Sequence, residues 1–391
     1  MKKQQRRKEK GITLVALVVT IIVLIILAGV TLNIVLDNDG IINKVQQATG
    51  EYENAQMEEE GILGQIENYL NPPIPDGYVA SNVPGENIVA TGLVIYEGNE
   101  PVTEENHEEA MLNRNQYVWI PVNDINSMVM CKSNNGSSLC HLVYDKEANT
   151  LACQNHPSTA TDLVGRLYIS TDVNVGNNIY SYIMDFEKRD QVYNEEDYHE
   201  PNIVEGDASN NITIDQLKSD FTVMAKSVAK NGGFYISRYE VGEAGNSKKG
   251  QPVLTAAGSN GTNHLGVNTW YGLHNTIRNI SANKQMVWGC QYDQVIKFIG
   301  EEAQIGHNDR NLTKTTTISG ENELDKMKNI YDLEGNYREW TTEAYSTYGR
   351  TYRSSFYNNA NTGDFIATSD RFGYDPTNER YSCSSRSTLY L

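Results

Sequence analysis

The hydrophobic and polar positions divide the chain into an apolar N-terminal segment and a long polar remainder. Residues 12–36 form a run of 25 residues without a charged side chain. A helix of this length spans about 37 Å, more than the roughly 30 Å of a bilayer's hydrocarbon core. We therefore predict a single transmembrane helix over residues 12–36.

A short basic segment precedes this run. Residues 1–11 contain six cationic side chains and one acid, Glu9. Positive charge next to a transmembrane helix favours the cytoplasmic side, so we expect a single-pass cell-membrane protein with its head outside the cytoplasm, at the cell surface. A secretory signal peptide fits less well, because its apolar region is only about 7–15 residues long.

The junction Gly11-Ile12-Thr13-Leu14 resembles the prepilin-type leader of type IV pilins and pseudopilins. The resemblance implies a bacterial type of protein that a prepilin peptidase cleaves between Gly11 and Ile12, with methylation of the new N-terminus and other pilin subunits as partners. The fifth mature residue of that family is usually Glu, and here it is Ala16, which argues against a major filament subunit. An uncleaved membrane anchor is the alternative.

The chain after the membrane segment divides into a stem and a head. Apolar residues at three-to-four spacing between positions 41 and 70 predict a helical stem, and Pro72, Pro73 and Pro75 form a hinge. The predicted units are the leader 1–11, the transmembrane helix 12–36, the stem and hinge 37–75, the N-terminal part of the head 76–220, and the core of the head 221–391.

Short β-like and helical patterns alternate in the head and predict an α+β fold. Strands are predicted at 87–96, 116–122 and 234–242, and helices at 221–229 and 285–299, with a polar loop over 260–283. The cysteine-containing segment 123–157 and the Asn- and Asp-rich segment 171–220 are predicted to be insertions on the surface.

The charge and aromatic composition narrow the classes of partner. The net charge is −18, and because the leader carries +5, the remainder carries −23. Such an acidic head repels phosphate backbones, which excludes nucleic acid as a ligand. The 24 Tyr and only 7 Phe predict a surface rich in tyrosine rather than an unusually aromatic core.

The metal and disulfide candidates lie in the two insertions. Cys131, Cys140 and Cys153, near His141 and His156, are compatible with a zinc site, a disulfide or free thiols. Acidic residues around position 210 suggest calcium, but their spacing is not that of an EF-hand, so a solvated loop is preferred and no cofactor is expected. The candidate oxygen ligands are Asp207, Asn210 and Asp215.

The C-terminal third contains motifs that resemble the formylglycine-generating-enzyme (sulfatase-modifying factor) family, which has a C-type-lectin-like fold. The family's GNxxEWT motif corresponds to Gly335, Asn336, Glu339, Trp340 and Thr341, and its strand-entry segment to GFYISRYEVG at 233–242. Two arginines of the family's later strands correspond to Arg353 and Arg386. The resemblance implies a C-type-lectin-like head in which these motif residues are structural, with positive φ at the Gly335-Asn336 turn.

Catalysis is not expected from this resemblance. The catalytic members bind copper with a close pair of cysteine thiolates near the C-terminus, and soft Cu(I) prefers such ligands. The corresponding region of this chain contains only Cys383. A copper-dependent oxidase is therefore the alternative hypothesis, and the preferred one is a protein that binds without catalysis.

The last 47 residues have the composition of a binding surface. Tyr, Ser and Asn account for 19 of residues 345–391, a mixture typical of antibody-type paratopes. We predict a cell-surface protein that binds a protein or a glycan, with a structural minor pilin as a further alternative. The predicted ligand residues are Tyr337, Arg338, Tyr345, Tyr348, Tyr352, Phe356, Tyr357, Asn358, Asn359, Asn361, Tyr374, Asn378 and Tyr381.

A lectin-like domain at the C-terminus also resembles the variable proteins of diversity-generating retroelements. In those proteins adenine-directed mutagenesis leaves Tyr, Ser, Asn and related residues on the ligand face. Several departures from the formylglycine-generating-enzyme motifs fit such scatter, and neutral drift of a non-catalytic domain is the alternative. These departures are Tyr337, Arg338, Ser354, Ser355, Ser384 and Ser385.

Overall fold

The computed structural model describes residues 71–132, 139–154, 156–159, 163–166, 169–175, 178–185, 212–254, 269–300, 318–346, 349–354, 371–376, 380 and 382–391. The predicted leader, transmembrane helix and helical stem lie outside these ranges. Within them, none of the helices combines the length and the apolar content that crossing a membrane requires.

The described residues form an α+β fold. Its helices are α1 (His107–Asn113), α2 (Ile214–Asn231), α3 (Trp270–Arg278) and α4 (Gly289–Ile299). Its strands are β1 (Tyr78–Ala80), β2 (Val94–Glu97), β3 (Gln116–Pro121), β4 (Val129–Lys132), β5 (Leu139–Cys140), β6 (Leu142–Asp145), β7 (Thr150–Cys153), β8 (His156–Thr159), β9 (Leu163–Gly165), β10 (Ile169–Val175), β11 (Asn178–Asp185), β12 (Gly233–Ser237), β13 (Lys284–Met286), β14 (Arg338–Ser346), β15 (Gly349–Arg353), β16 (Arg371–Tyr374), β17 (Cys383–Ser385) and β18 (Ser387–Leu389).

A six-stranded antiparallel sheet in the order β1-β2-β3-β12-β18-β13 forms the base of the head. Its central strands β3 and β12 carry apolar and aromatic side chains on both faces and are buried, as their nearly continuous hydrophobic sequences indicate. The C-terminal strand β18 lies between β12 and β13, so the end of the chain is held inside the sheet.

A second, four-stranded sheet in the order β16-β15-β14-β17 carries the C-terminal motifs. β14, β15 and β16 are antiparallel neighbours, whereas β17 runs parallel to β14. Helix α3 is fixed to this sheet because the indole Nε1 of Trp270 donates a hydrogen bond of 2.8 Å to the carbonyl oxygen of Thr341.

The cysteine-containing insertion is folded into small sheets rather than an irregular excursion. Together with the residues that follow it up to Gly165, it forms the sheets β5-β4-β9 and β6-β7-β8, and β10 and β11 then form a separate hairpin. A disulfide joins Cys131 to Cys153, which confirms the bridge hypothesis for this segment and identifies its pairing. Cys140 remains a free, buried thiol.

Two helix predictions had the wrong boundaries. Helix α2 begins at Ile214 rather than Phe221, because the side chain of Thr213 caps its N-terminus by accepting from the amide of Gln216. The second predicted helix, over 285–299, is shorter, because residues up to Met286 form the edge strand β13 and the helix begins at Gly289.

The prediction of a polar loop over 260–283 is wrong at its C-terminal end. Residues 270–278 form helix α3, capped by the Thr269 side chain, and Leu273 and Ile277 lie one turn apart in the core. The predicted strand over 87–96 is also shorter. A 3-10 turn occupies Val89–Thr91, and the strand begins at Val94.

The tyrosines are largely internal, so the expectation of a tyrosine-rich surface is wrong for the described part of the chain. Buried rings stack or lie edge-on against other rings, as Tyr239 does with Tyr331 at 5.0 Å between centroids. Each phenol also provides a polar atom, which allows an internal ring to bind buried charged groups. The fully or nearly fully buried tyrosines include Tyr96, Tyr117, Tyr235, Tyr239, Tyr271, Tyr292, Tyr331 and Tyr390.

Candidate ligand-binding surface

The GNxxEWT motif forms a buried ion pair with the C-terminal strand. The guanidinium Nε of Arg386 donates to Oε1 of Glu339 at 2.5 Å, and Nη1 donates to the carbonyl oxygens of Ser237 and Arg238 at 3.2 and 3.1 Å. Burial raises the pKa of Glu339 to about 7, although the nearby Arg386 opposes this shift. The pair therefore links β12, β14 and the end of the chain.

The turn before β14 is held by a second buried carboxyl group. Gly335 and Asn336 both have positive φ, 98° and 45°, which confirms the predicted left-handed turn. The amide of Asn336 and the backbone N–H of Tyr337 both donate to the carboxyl group of Glu240. Burial, and then the negative charge of Asp332, raise the pKa of Glu240 well above its usual range.

Arg353 occupies a third buried charge cluster, between β15 and α4. Its guanidinium is paired with Asp293 on α4 and lies 3.5 Å from Glu343 on β14, and it covers the ring of Tyr292 at 4.8 Å. Glu343 is also paired with Arg371 on β16. Three of the four strands of this sheet, β14, β15 and β16, are thus joined by buried ion pairs.

The indole of Trp340 is buried, as the motif predicts, but its Nε1 has no hydrogen-bond partner among the described residues. Trp340 begins an aromatic row across the sheet. The registers place Trp340 opposite Tyr352 and Tyr352 opposite Phe372. Tyr352 lies edge-on to Trp340 at 5.5 Å and stacks on Phe372 at 5.7 Å, so the row runs from the core to the solvent.

Two arginines cover the outer part of this row. The guanidinium of Arg338 lies 5.2 Å from the ring centre of Tyr352 and 5.9 Å from that of Phe372. The guanidinium of Arg380 lies 3.4 Å from the ring centre of Tyr374 and 5.8 Å from that of Tyr352. We call these five residues, Arg338, Tyr352, Phe372, Tyr374 and Arg380, the aromatic–arginine surface.

Neither arginine of this surface is neutralised within the described residues. The buried Nε atoms of Arg338 and Arg380 have no hydrogen-bond partner there, and neither residue forms an ion pair with a described carboxylate. Stacking on aromatic rings fixes the orientation of a guanidinium while its N–H groups remain available to an acceptor. The surface can therefore present oriented donors to an anionic group.

Tyr345, also predicted to bind ligand, lies on the opposite face of the sheet. Alternation along β16 points Gly373 away from the face of Phe372 and Tyr374. A Cβ atom on Gly373 would lie 1.8 Å from the ring of Tyr345, so this ring packs directly on the glycine backbone. Tyr345 remains 45% exposed there, apart from the aromatic–arginine surface.

The expectation that Tyr337 and Tyr352 are exposed contact residues is wrong. Their exposed fractions are 5% and 6%, because Tyr337 follows the buried turn and Tyr352 is enclosed by its aromatic and arginine neighbours. The described serines among the departures from the family motifs are also internal, whereas Ser355 lies outside the described residues. Ser385, for example, donates from Oγ to the carbonyl oxygen of Trp340 at 2.8 Å, and Ser354 and Ser384 are equally buried.

The remaining predicted ligand residues lie outside the described residues and stay predictions: Tyr348, Phe356, Tyr357, Asn358, Asn359, Asn361, Asn378 and Tyr381. The sequence analysis also missed two members of the surface, Phe372 and Arg380. The alternating aromatics of the segment RFGY, at 371–374, are the signal that identifies a strand with one aromatic face.

The described residues near the C-terminus do not form a two-thiolate metal site. Cys383 is fully buried on β17, and burial raises the pKa of its thiol to about 12. Within the described part of the chain, the group of Cys, His, Asp and Glu side chains close enough to bind one metal ion is Cys131, Cys140 and Cys153, in the insertion.

Comparisons with known proteins give structural similarity of low degree. No protein-family model matches the sequence, and no curated protein does. Among solved structures, the Major Tropism Determinant I1 variant aligns at 10% identity and a TM-score of 0.30, over 67% of this chain and 71% of its own. The Major Tropism Determinant M1 variant aligns at 12% identity and a TM-score of 0.27, over 67% of this chain and 71% of its own. The structure of CarF aligns at 11% identity and a TM-score of 0.29, over 41% of this chain and 87% of its own.

Proposed function

We propose that the protein is a cell-surface binding protein whose aromatic–arginine surface recognises anionic groups of a protein or glycan ligand. The observation that carries this proposal is the pair of arginines, Arg338 and Arg380, stacked on tyrosine and phenylalanine rings without a carboxylate partner among the described residues. The head that displays them is proposed to have a C-type-lectin-like fold.

The contrast with the buried arginines supports a binding role. Arg353 and Arg386 are each paired with carboxylates inside the fold, as expected for charges removed from water. Arg338 and Arg380 are partly exposed and have no carboxylate partner within the part of the chain that the structure describes. In a chain with 50 acidic and 32 basic residues, two neighbouring arginines without a carboxylate partner among the described residues form a local positive charge.

The arrangement also matches the composition of known binding surfaces. Arginine and tyrosine dominate the residues whose loss costs the most binding energy at protein interfaces. Arginine in particular binds carboxylates with two parallel hydrogen bonds. The buried ion pairs below the sheet hold these side chains in position before a ligand arrives, which lowers the entropic cost of binding.

The test uses polymers of defined charge. Full-length protein in detergent is applied to immobilised polyglutamate, polygalacturonate and, as a neutral control, dextran. We expect salt-sensitive binding to at least one anionic polymer and none to dextran, and which of the two binds distinguishes an acidic polypeptide from an acidic glycan. Equal binding to dextran, or no binding to either anionic polymer, would reject the proposal.

Display on a membrane anchor is a separate part of the proposal. It rests on the uncharged run at 12–36 and the basic leader before it. A minor pilin, whose head contacts only other subunits, is the competing hypothesis. It predicts co-purification with pilin subunits and no difference between wild type and the Arg338→Ala variant in binding anionic polymers.

An oxidase of the formylglycine-generating type is not favoured. Such an enzyme needs cysteine thiolates that bind copper, whereas burial disfavours the thiolate of Cys383. Copper-dependent oxidation of a cysteine-containing peptide that disappears in Cys383→Ser would support the enzyme instead.

Diversification by a retroelement also remains a proposal, and the structure reduces the number of positions at which substitution would be tolerated. Ser354, Ser384 and Ser385 are buried, and random substitution there would disturb the fold. The exposed positions of the aromatic–arginine surface tolerate exchange better. A reverse transcriptase gene and an adenine-differing copy of the C-terminal coding region in the neighbouring DNA would support this proposal.

A further inference from the structure

Three cysteines of the insertion lie together, although they belong to three strands of two sheets. Cys131 on β4 is bonded to Cys153 on β7, with their Cα atoms 6.2 Å apart. Cys140 on β5 lies directly opposite Cys131 in the antiparallel ladder of β4 and β5. The three sulfur atoms lie within 4.8 Å of one another.

Cys140 provides the free thiol in this group. Its Sγ lies 3.5 Å from the carbonyl oxygen of Cys131, so the side chain is directed towards the residue that carries the disulfide. All three side chains are shielded from bulk solvent. A free thiol held beside a disulfide has the two reactants of an exchange reaction in one place.

We propose that Cys131, Cys140 and Cys153 form a thiol–disulfide exchange site. The thiolate of Cys140 attacks Sγ of Cys131, the Cys140–Cys131 bond forms as the Cys131–Cys153 bond breaks, and the electron pair leaves on the sulfur of Cys153. Cys153 then takes up a proton equivalent to the one that Cys140 released. The reaction consumes neither an oxidant nor a reductant.

The backbone accommodates both bridges. Residues directly opposite in an antiparallel ladder have Cα atoms about 4.5–5.5 Å apart, and disulfides span Cα distances of about 4.4–6.8 Å. The pair Cys131 and Cys140 therefore satisfies the distance requirement without separation of β4 from β5. Exchange requires a change of side-chain rotamers rather than a rearranged sheet.

The two bridges have different structural consequences. The Cys131–Cys153 bond, between residues 22 apart, ties the sheet β5-β4-β9 to the sheet β6-β7-β8. The Cys131–Cys140 bond joins residues only nine apart, in neighbouring strands of one sheet. Exchange thus removes the covalent link between the two sheets and moves the free thiol to Cys153.

The sequence makes the test direct. Lys132 and Lys146 separate the three cysteines, so trypsin places each in a different peptide. Because the three thiols are buried, full-length protein is unfolded in guanidinium chloride that contains excess N-ethylmaleimide, at a mildly acidic pH that suppresses further exchange. It is then digested without reduction and mapped by mass spectrometry. We expect two bridged species, Cys131–Cys153 with label on Cys140 and Cys131–Cys140 with label on Cys153.

Variants isolate each bridge. Cys140→Ser should retain only Cys131–Cys153, whereas Cys153→Ser oxidised with glutathione disulfide should form Cys131–Cys140. Cys290→Ser, a buried cysteine outside the group, serves as the matched control and should show the wild-type mixture. If Cys153→Ser fails to fold, the disulfide map of the wild-type protein tests the proposal by itself.

A wild-type map with Cys131–Cys153 as the one bridge among the three cysteines, with label on Cys140 and none on Cys153, would overturn the proposal. So would a map in which none of the three forms a bridge and zinc protects all of them from labelling, since the group would then be a metal site.

Discussion

Arg386 and Glu339 form a buried ion pair between residues 47 positions apart, with Nε of the arginine 2.5 Å from Oε1 of the carboxylate. The pair joins the end of the chain to the first half of β14. Because β14 also carries Arg338, the position of the aromatic–arginine surface depends on this internal contact.

We predict that this carboxyl group makes stability depend on pH. The pKa of Glu339 is about 7 in the folded protein, above its usual value of 4.5. The folded state therefore holds a proton that the unfolded state has released, and the free energy of unfolding falls as pH rises from about 4.5 to 7. The contribution is up to about 3 kcal/mol. Glu339→Gln should reduce this slope in urea unfolding curves, and the buried Glu240, whose pKa is also raised, accounts for part of the slope that remains.

Glu323→Gln is the matched control for this slope. The pKa of Glu323 is lowered to about 2, despite partial burial, by hydrogen bonds from Lys326, Tyr331 and Lys249. The stabilisation by the Glu323 carboxylate is complete above about pH 4.5 and is lost as the pH falls towards 2. This variant should therefore leave the pH dependence of the free energy of unfolding between about pH 4.5 and 7 unchanged. An unaltered slope in Glu339→Gln would show that another group titrates.

We predict that Tyr352 and Phe372 differ in their effect on stability, although they stack on each other. Tyr352 is buried, so Tyr352→Ala should lower the free energy of unfolding by about 3 kcal/mol through loss of packing. Phe372 is 36% exposed, and Phe372→Ala should cost about 1 kcal/mol or less. Thermal denaturation of both variants measures this. Equal losses would place Phe372 in the core.

The sequence predicts elements whose pattern is local and misses those that depend on distant contacts. The apolar run at 116–122 specifies β3, and the glycine of the Gly335-Asn336 turn signals positive φ. Helix α3 was missed because Gly272, Asn275 and Thr276 are weak helix formers, so tertiary burial of Trp270 decides the outcome.

The proposed binding surface also depends on distant contacts that the sequence alone does not reveal. Composition identified the C-terminal region as rich in Tyr and Ser, but composition does not distinguish a buried side chain from an exposed one. Ser385 and Tyr352 are buried because residues far along the chain pack on them. Arg338 was recognised from its motif position, whereas Arg380 becomes visible only when the fold brings it onto Tyr374.

The proline hinge belongs in part to the head. Pro72 and Pro75 are buried, and the phenol of Tyr235 on β12 donates to the carbonyl oxygen of Pro73 at 3.1 Å. We predict that a fragment starting at Asn71 is more stable than one starting at Asp76, by about 1 kcal/mol or more for the lost hydrogen bond and packing. Thermal denaturation of the two fragments checks this. Equal melting temperatures would show that these prolines do not stabilise the head.

Processing at the N-terminus is a further prediction. If the leader is of the prepilin type, mass spectrometry of membrane-extracted protein should find Ile12 as a methylated N-terminal residue, and Gly11→Val should prevent cleavage. If the leader stays intact in cells that contain a prepilin peptidase, the result would contradict this prediction and favour the alternative of an uncleaved membrane anchor.

The most direct test of the proposed binding role is the affinity of Arg338→Ala/Arg380→Ala for the anionic polymer that the wild type binds. We predict at least a tenfold increase in Kd, about 1.4 kcal/mol, with little change in melting temperature because both side chains are partly exposed. The double substitution Lys230→Ala/Lys218→Ala, which removes two cations from α2, provides the charge-matched control and should leave Kd within about twofold. An unchanged Kd in the arginine variant, or an equal loss in the lysine variant, would contradict recognition by this surface.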